Sequence, residues 1–217
     1  MQILVAYRKI YSVNYIMDKE KEINTYPVFP LSINVLPGAY LPLQIFEPRY
    51  LDMVKNSLAK EEGFCIALTK NNEKSLTEGL PNLHEVATYV EIVDFNQLQN
   101  GLLGITVKGL NKVKILDKWK QDDELLIANI SKLKEFEEDF SEDPSYKEIW
   151  SMLIEISNHP EVKKLNLEID LKNAINVSYI LGSLLPLSPT EKQTMLELES
   201  STEKLDYLKS IIKRLGG

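Results

Sequence analysis

Only one cysteine, Cys65, occurs in 217 residues. A single thiol makes no intrachain disulfide and no metal site by itself, which fits a reducing compartment. Basic residues are also short, with 25 Lys and Arg against 32 Asp and Glu for a net charge of -7. That balance lacks the cationic excess of a protein that holds nucleic acid mainly through its phosphates. Apolar runs are broken by Lys, Asp or Asn well before the roughly 18 residues that a membrane helix needs. The first apolar stretch is followed, not preceded, by Arg8 and Lys9, the wrong order for a secretory signal. Glycine forms neither GxxxxGK[ST] nor GxGxxG, so no phosphate-cradling loop is encoded. The two histidines, His84 and His159, are too few and too far from Cys65 in sequence to suggest zinc ligation, and neither sits in a nucleophile-base pattern. These absences predict a cytoplasmic protein with no membrane segment, cofactor, metal or catalytic residue.

What is present is ordinary globular composition, 44% hydrophobic and 26% charged. The length allows one large domain or two small ones. The confident pattern starts at Tyr26, and residues 1–16 read as a dispensable leader ahead of Met17. From Tyr26, prolines at 27, 30, 37 and 42 forbid a helix interior, so TYPVFPLSINVLPGAYLPLQIF reads as strands and turns. Pro48 marks a helix start; Leu51, Val54 and Leu58 form its apolar stripe, and Gly63 stops it. FCIALT is a short buried strand, and NNEKSLTEGLPN is a surface loop. HEVATYVEIVDF alternates with a period of two, Asn100-Gly101 turns the chain, and LLGITVKG, VKILDKW and ELLIANISKL continue the series. The spacing predicts an antiparallel sheet, closed or nearly so. GLLG at 101–104 matches the KH-domain GXXG by letters, but its place after a hairpin turn and before a strand makes it turn and strand.

After Leu133 the character changes. KEFEEDFSEDP packs six carboxylates into residues 135–143, which reads as a solvated linker. Helical spacing follows through Ile149, Met152, Leu153 and Ile156, then through Ala174, Val177, Leu181 and Leu184. Ser188-Pro189-Thr190-Glu191 and Ser200-Ser201-Thr202-Glu203 are capping boxes, the second opening a helix with Leu205, Leu208, Ile212 and Leu215 on one face.

The segment LPLQIFEPRYLDMV has two readings. In one, Leu43, Ile45 and Phe46 fill the core while Glu47 and Arg49 pair at the helix start. In the other, Tyr40, Phe46 and Tyr50 lie on an apolar groove that grips extended polypeptide.

FPLSINVLPGAYLPLQIFEPRYLDMV, together with GFCIAL, LHEVATYVEIVDF, GLLGITVKG and LGSLLPLSPTEKQTMLEL, resembles the N-terminal, substrate-binding domain of the ATP-dependent Lon protease, found also as stand-alone proteins. The likeness runs from about Tyr26 to the C-terminus and leaves residues 1–25 outside. It implies an α+β fold: a PUA-like antiparallel β-barrel subdomain with one or two helices over residues 26–134, an acidic linker over 135–144 and a C-terminal helical bundle over 145–217. It implies substrate recognition without catalysis, because Lon places ATP hydrolysis and Ser-Lys cleavage in later domains, and no Walker A sequence occurs here. The implied partners are unfolded or partly folded polypeptides, with a protease or chaperone nearby. RNA is the competing ligand, since PUA-like barrels occur in RNA-binding proteins; Lys108, Lys112, Lys114, Lys118 and Lys120 would supply the basic stripe.

Overall fold

The structure is a computed structural model that describes residues 23–70, 79–136, 140 and 143–216. Residues 1–22, and with them the expected leader up to residue 16, lie outside the described residues, as does most of the expected loop at 71–78. Strand β1 (Ile23–Leu31) is followed by β2 (Tyr40–Ile45), α1 (Pro48–Lys60), β3 (Phe64–Leu68), β4 (Val86–Gln97), β5 (Leu103–Lys120) and β6 (Leu126–Lys132). A 3-10 turn (Pro144–Tyr146) then leads into α2 (Lys147–Asn158), α3 (Pro160–Lys163), α4 (Ala174–Leu184), α5 (Pro189–Glu197) and α6 (Ser201–Gly216).

The sheet runs in the order β2-β5-β4-β3-β1-β6, and β5 also pairs with β6, so the sheet closes on itself. Strand β5 makes this possible by its length. Its first part, Leu103–Lys108, pairs with β2, and its last part, Val113–Lys120, pairs with β6. Register shifts at Tyr89/Val90, Ile92/Asp94 and Ile115/Asp117 bend the long strands. One pairing departs from the antiparallel expectation: β1 and β3 are parallel, with Val28 opposite Cys65 and Leu31 opposite Leu68. The connection between them carries β2 and α1, the kind of long crossover that a parallel pair requires. The first strand also begins earlier than Tyr26, because Ile23, Asn24 and Thr25 pair with Ser131, Ile130 and Asn129 of β6.

All five residues of β3 are buried, since both of its faces are covered. Phe64 and Ile66 join the core under α1, whereas Cys65 and Ala67 join the one around Val28, Val113 and Ala128. Helix α1 starts at Pro48 as expected, but the face it buries is Tyr50, Met53, Val54 and Ser57, and Leu51 and Leu58 remain on the outside. After it, Gly63 passes so close to β4 that a Cβ there would sit 1.9 Å from the Val90 carbonyl oxygen. At the β4-β5 turn, Gly101 takes the left-handed φ of 84° that closes the Leu98–Gly101 turn.

Helix α4 is buried almost all round and packs against α2, α5 and α6. Leu36, from the β1-β2 connection, belongs to the same core as these helices. Both capping boxes form: Ser188 and Glu191 bond each other's backbone N–H, and so do Ser200 and Glu203.

Candidate recognition surface

The three residues expected on a groove are distributed differently. Tyr50, on the inner face of α1, stacks on Phe29 at 4.1 Å between ring centroids and is 8% exposed. It belongs to the core, which corrects its place among surface contacts. Burial raises its hydroxyl pKa, with Arg49 opposing. Tyr40, at the start of β2, is half-buried with the Lys108 ammonium 5.9 Å over its ring. Phe46 follows the end of β2 and is 66% exposed, so it does not fill the core. Tyr40 and Phe46 lie at opposite ends of one extended strand, about 20 Å apart.

Local sequence explains why Phe46 stands out. Glu47 caps α1 with extended backbone, Pro48 enters the first turn, and Arg49 turns back to pair with Glu47 at 2.6 Å and to donate to the Glu124 carbonyl at 3.1 Å. This locks the strand-to-helix junction and points the chain so that Ile45 is buried while its neighbour is not. Two more apolar side chains, which the sequence pattern does not mark as exposed, stand out on β4, Val93 and Phe95. Phe95 lies in a row with Ile105 of β5 and Leu43 of β2. The Ile92/Asp94 bulge breaks the alternation that would have placed them, and no residue type in the sequence announces it.

Among the described residues β2 pairs with β5 alone, which leaves its other edge without a partner strand there. Pro42 sits in it, and having no N–H it can face only that open side, where it removes one donor from the edge.

The remaining candidates have structural partners. Cys65 is fully buried, and desolvation pushes its thiol up to about 12. His84 Nδ1 lies 3.0 Å from Glu197 of α5, and His159 Nδ1 accepts the Glu161 N–H at the start of α3. In GLLG, Gly101 makes the turn and Leu103-Gly104 opens β5. Four of the five stripe lysines are engaged: Lys108 pairs with Glu168 at 2.8 Å, Lys114 with Glu85 at 3.4 Å, and Lys120 with Glu124. Lys112 is turned inward and is 2% exposed.

There it meets a cluster that the sequence did not reveal. Glu135 pairs with Lys112 at 3.5 Å and with Lys204 at 3.0 Å, and it accepts the Tyr179 hydroxyl at 2.6 Å. Both ammonium groups also donate to the Leu198 carbonyl at the end of α5. Glu135 is therefore no part of a solvated run, although 137–139 and 141–142 lie outside the described residues. Among the described residues there is no group of three or more His, Cys, Asp or Glu that could hold a metal ion, and no helix is long and apolar enough to cross a membrane.

Comparison with known proteins agrees with this architecture. The family of the ATP-dependent protease La (LON) substrate-binding domain matches residues 25–214. The Lon protease of Halothermothrix orenii is 24% identical over 214 residues, covering 91% of this chain and 26% of that protein. The chain thus spans about a quarter of the length of the curated relatives it matches. A Lon N-terminal domain protein from Xanthomonas campestris has a similar fold, with a TM-score of 0.68 at 24% identity over 86% of this chain and 98% of that one. The N-terminal domain of the Mycobacterium avium complex Lon protease gives 0.64 at 18% identity over 85% and 96%. With six strands and six helices among the described residues, in the same mixed arrangement, this chain belongs to the Lon substrate-binding domain family.

Proposed function

We propose that the protein is a non-catalytic module that binds unfolded or partly folded polypeptides, serving as a cytoplasmic adaptor that brings clients to a protease or chaperone. The closed sheet, residues 26–134 extended back to Ile23, is the PUA-like subdomain; residues 145–217 are a helical-bundle subdomain, and 135–144 join the two. One observation carries the reading: in a chain of a substrate-binding family, Phe46 is held two-thirds exposed by a rigid Glu47-Pro48-Arg49 junction. With the backbone beneath it already held, covering this large apolar ring costs a client only the ordering of one short side chain. Tyr40, at the far end of β2, is the second contact, and an extended segment of about six residues would span the distance between them.

The test is the fluorescence anisotropy of a labelled, permanently unfolded polypeptide, such as reduced and carboxymethylated α-lactalbumin, titrated with the full chain. Binding that is insensitive to salt, and that Phe46→Ala weakens by about fivefold, is the expected result. No binding, or binding that Phe46→Ala leaves unchanged, would overturn the proposal.

A further inference from the structure

Strand β2 pairs with β5 in unbroken register, Tyr40 opposite Lys108 and Ile45 opposite Leu103. Backbone groups alternate sides along a strand, so half of those in β2 face β5 and half face away. Two observations fix which half is which. Just before the strand, the Gly109 N–H donates to the Ala39 carbonyl at 2.9 Å, which assigns the odd-numbered residues to β5. Pro42, with no N–H to give, falls among the even-numbered ones. Tyr40, Pro42 and Gln44 therefore direct three C=O and two N–H groups away from β5, to an edge where no described strand meets them. Pro42 and Gln44 are exposed, and the exposed Phe46 follows directly.

We propose that this edge takes up an extended segment of a client polypeptide as an added strand, hydrogen-bonded backbone to backbone along Tyr40–Gln44. The outward groups recur every second residue, about 6.7 Å apart, with donor beside acceptor except at Pro42. Another extended polypeptide backbone matches that repeat group for group. A client that keeps its own N–H groups can use all the C=O and N–H groups the edge offers and forgoes only the bond that Pro42 cannot make. A second copy of this chain would bring its own proline and forgo two, and each copy carries a net charge of -7 that opposes the pairing. The added strand would run between Tyr40 and Phe46, the two rings proposed above as client contacts. The inference rests on that polypeptide-binding reading and supplies its mode: the edge selects extended backbone with free N–H groups, and a proline-rich segment would be refused.

The experiment follows the anisotropy of fluorescein-labelled, carboxymethylated α-lactalbumin titrated with the full chain and three variants. Gln44→Pro removes an edge N–H that makes no bond to β5, and is expected to weaken binding about fivefold, the effect of one backbone hydrogen bond. Gln44→Ala keeps that N–H and is expected to bind as the wild type does. Pro42→Val supplies the missing donor and is expected to tighten binding about fivefold, a gain that does not depend on damage to the fold. Equal affinities of Gln44→Pro and Gln44→Ala, or a Pro42→Val variant that binds no more tightly than the wild type, would overturn the proposal. So would sedimentation showing a dimer of the free chain that Gln44→Pro dissociates, since a second copy would then hold the edge. If binding depends on Phe46 but on neither proline substitution, only strand addition fails; if the polypeptide does not bind at all, both readings do.

Discussion

Where β5 meets the helices, Lys112 and Lys204 are buried against Glu135, Tyr179 and a backbone carbonyl. Where β2 runs into α1, an aromatic ring stands in water beside an exposed ion pair. The first region places charge where a core would be apolar, and the second places apolar surface where a monomer would be polar. Buried charges tolerate few arrangements, so they fix how the sheet and helices meet. An exposed ring constrains nothing inside the molecule and is available to a partner. On the proposed reading, stability and recognition reside in different residues, and substitutions should separate them.

The largest effect should come from Glu135→Ala. It leaves two buried ammonium groups without the one carboxylate that pairs with them among the described residues, and loss of one partner from a buried pair costs roughly 3–5 kcal/mol. Urea unfolding of the variant measures it. Adding Lys204→Met to Glu135→Ala should restore part of the loss, because one of the stranded charges is then removed. If Glu135→Ala unfolds at the wild-type midpoint, the seam is not held by charge.

Next in size is the contrast between two aromatic residues only four positions apart. Tyr50→Ala removes a ring stacked on Phe29 in the core and should cost about 3 kcal/mol. Phe46→Ala removes a ring that is 66% exposed and should shift stability by no more than about 0.5 kcal/mol, while weakening polypeptide binding. Equal unfolding midpoints for the two variants would mean that positions 46 and 50 do not divide into surface and core.

That pair also shows where the sequence could be read and where it could not. FCIAL is legible as a buried strand and Ser188-Pro189-Thr190-Glu191 as a helix start, because burial on both faces and reciprocal capping each leave a local signature. The buried stripe of α1 lies one residue earlier than the spacing predicts at two of its three positions. Val54 is buried as the spacing predicts, and Leu51 and Leu58 are more apolar than Tyr50 and Ser57, but the Phe29 ring and the Arg49 guanidinium favour an amphipathic phenol at position 50. The parallel β1-β3 pair was missed because pairing across a crossover leaves no mark in either strand. Lys112 and Lys204 were illegible for a plainer reason: lysine is almost never fully buried without a partner, and Glu135 lies far from both in sequence, inside a run that reads as solvated. Of the candidate site, Phe46 was named, whereas Val93 and Phe95 were hidden by a bulge.

The smallest effect concerns the protonation of the seam. Burial pushes the Lys204 ammonium down from an ordinary 10.5 to about 8, with Lys112 adding to the shift and Glu135 and Glu203 opposing it. Between those two values the unfolded chain keeps a proton on Lys204 that the folded protein has released. Stability rises with pH wherever the unfolded state binds more protons, so this lysine makes the fold more stable as pH climbs from about 8 toward 10. The slope cannot exceed about 1.4 kcal/mol per pH unit for one group. Tyr179 works the other way at still higher pH, since burial and Glu135 raise its hydroxyl and the folded state then holds the extra proton. Urea midpoints of the wild type and Lys204→Met, compared at pH about 7.5 and about 9.5, isolate the lysine. The wild type should gain on the variant over that interval; a constant difference would mean that Lys204 stays protonated in the folded protein throughout, and that its ion pair with Glu135 persists over the whole interval.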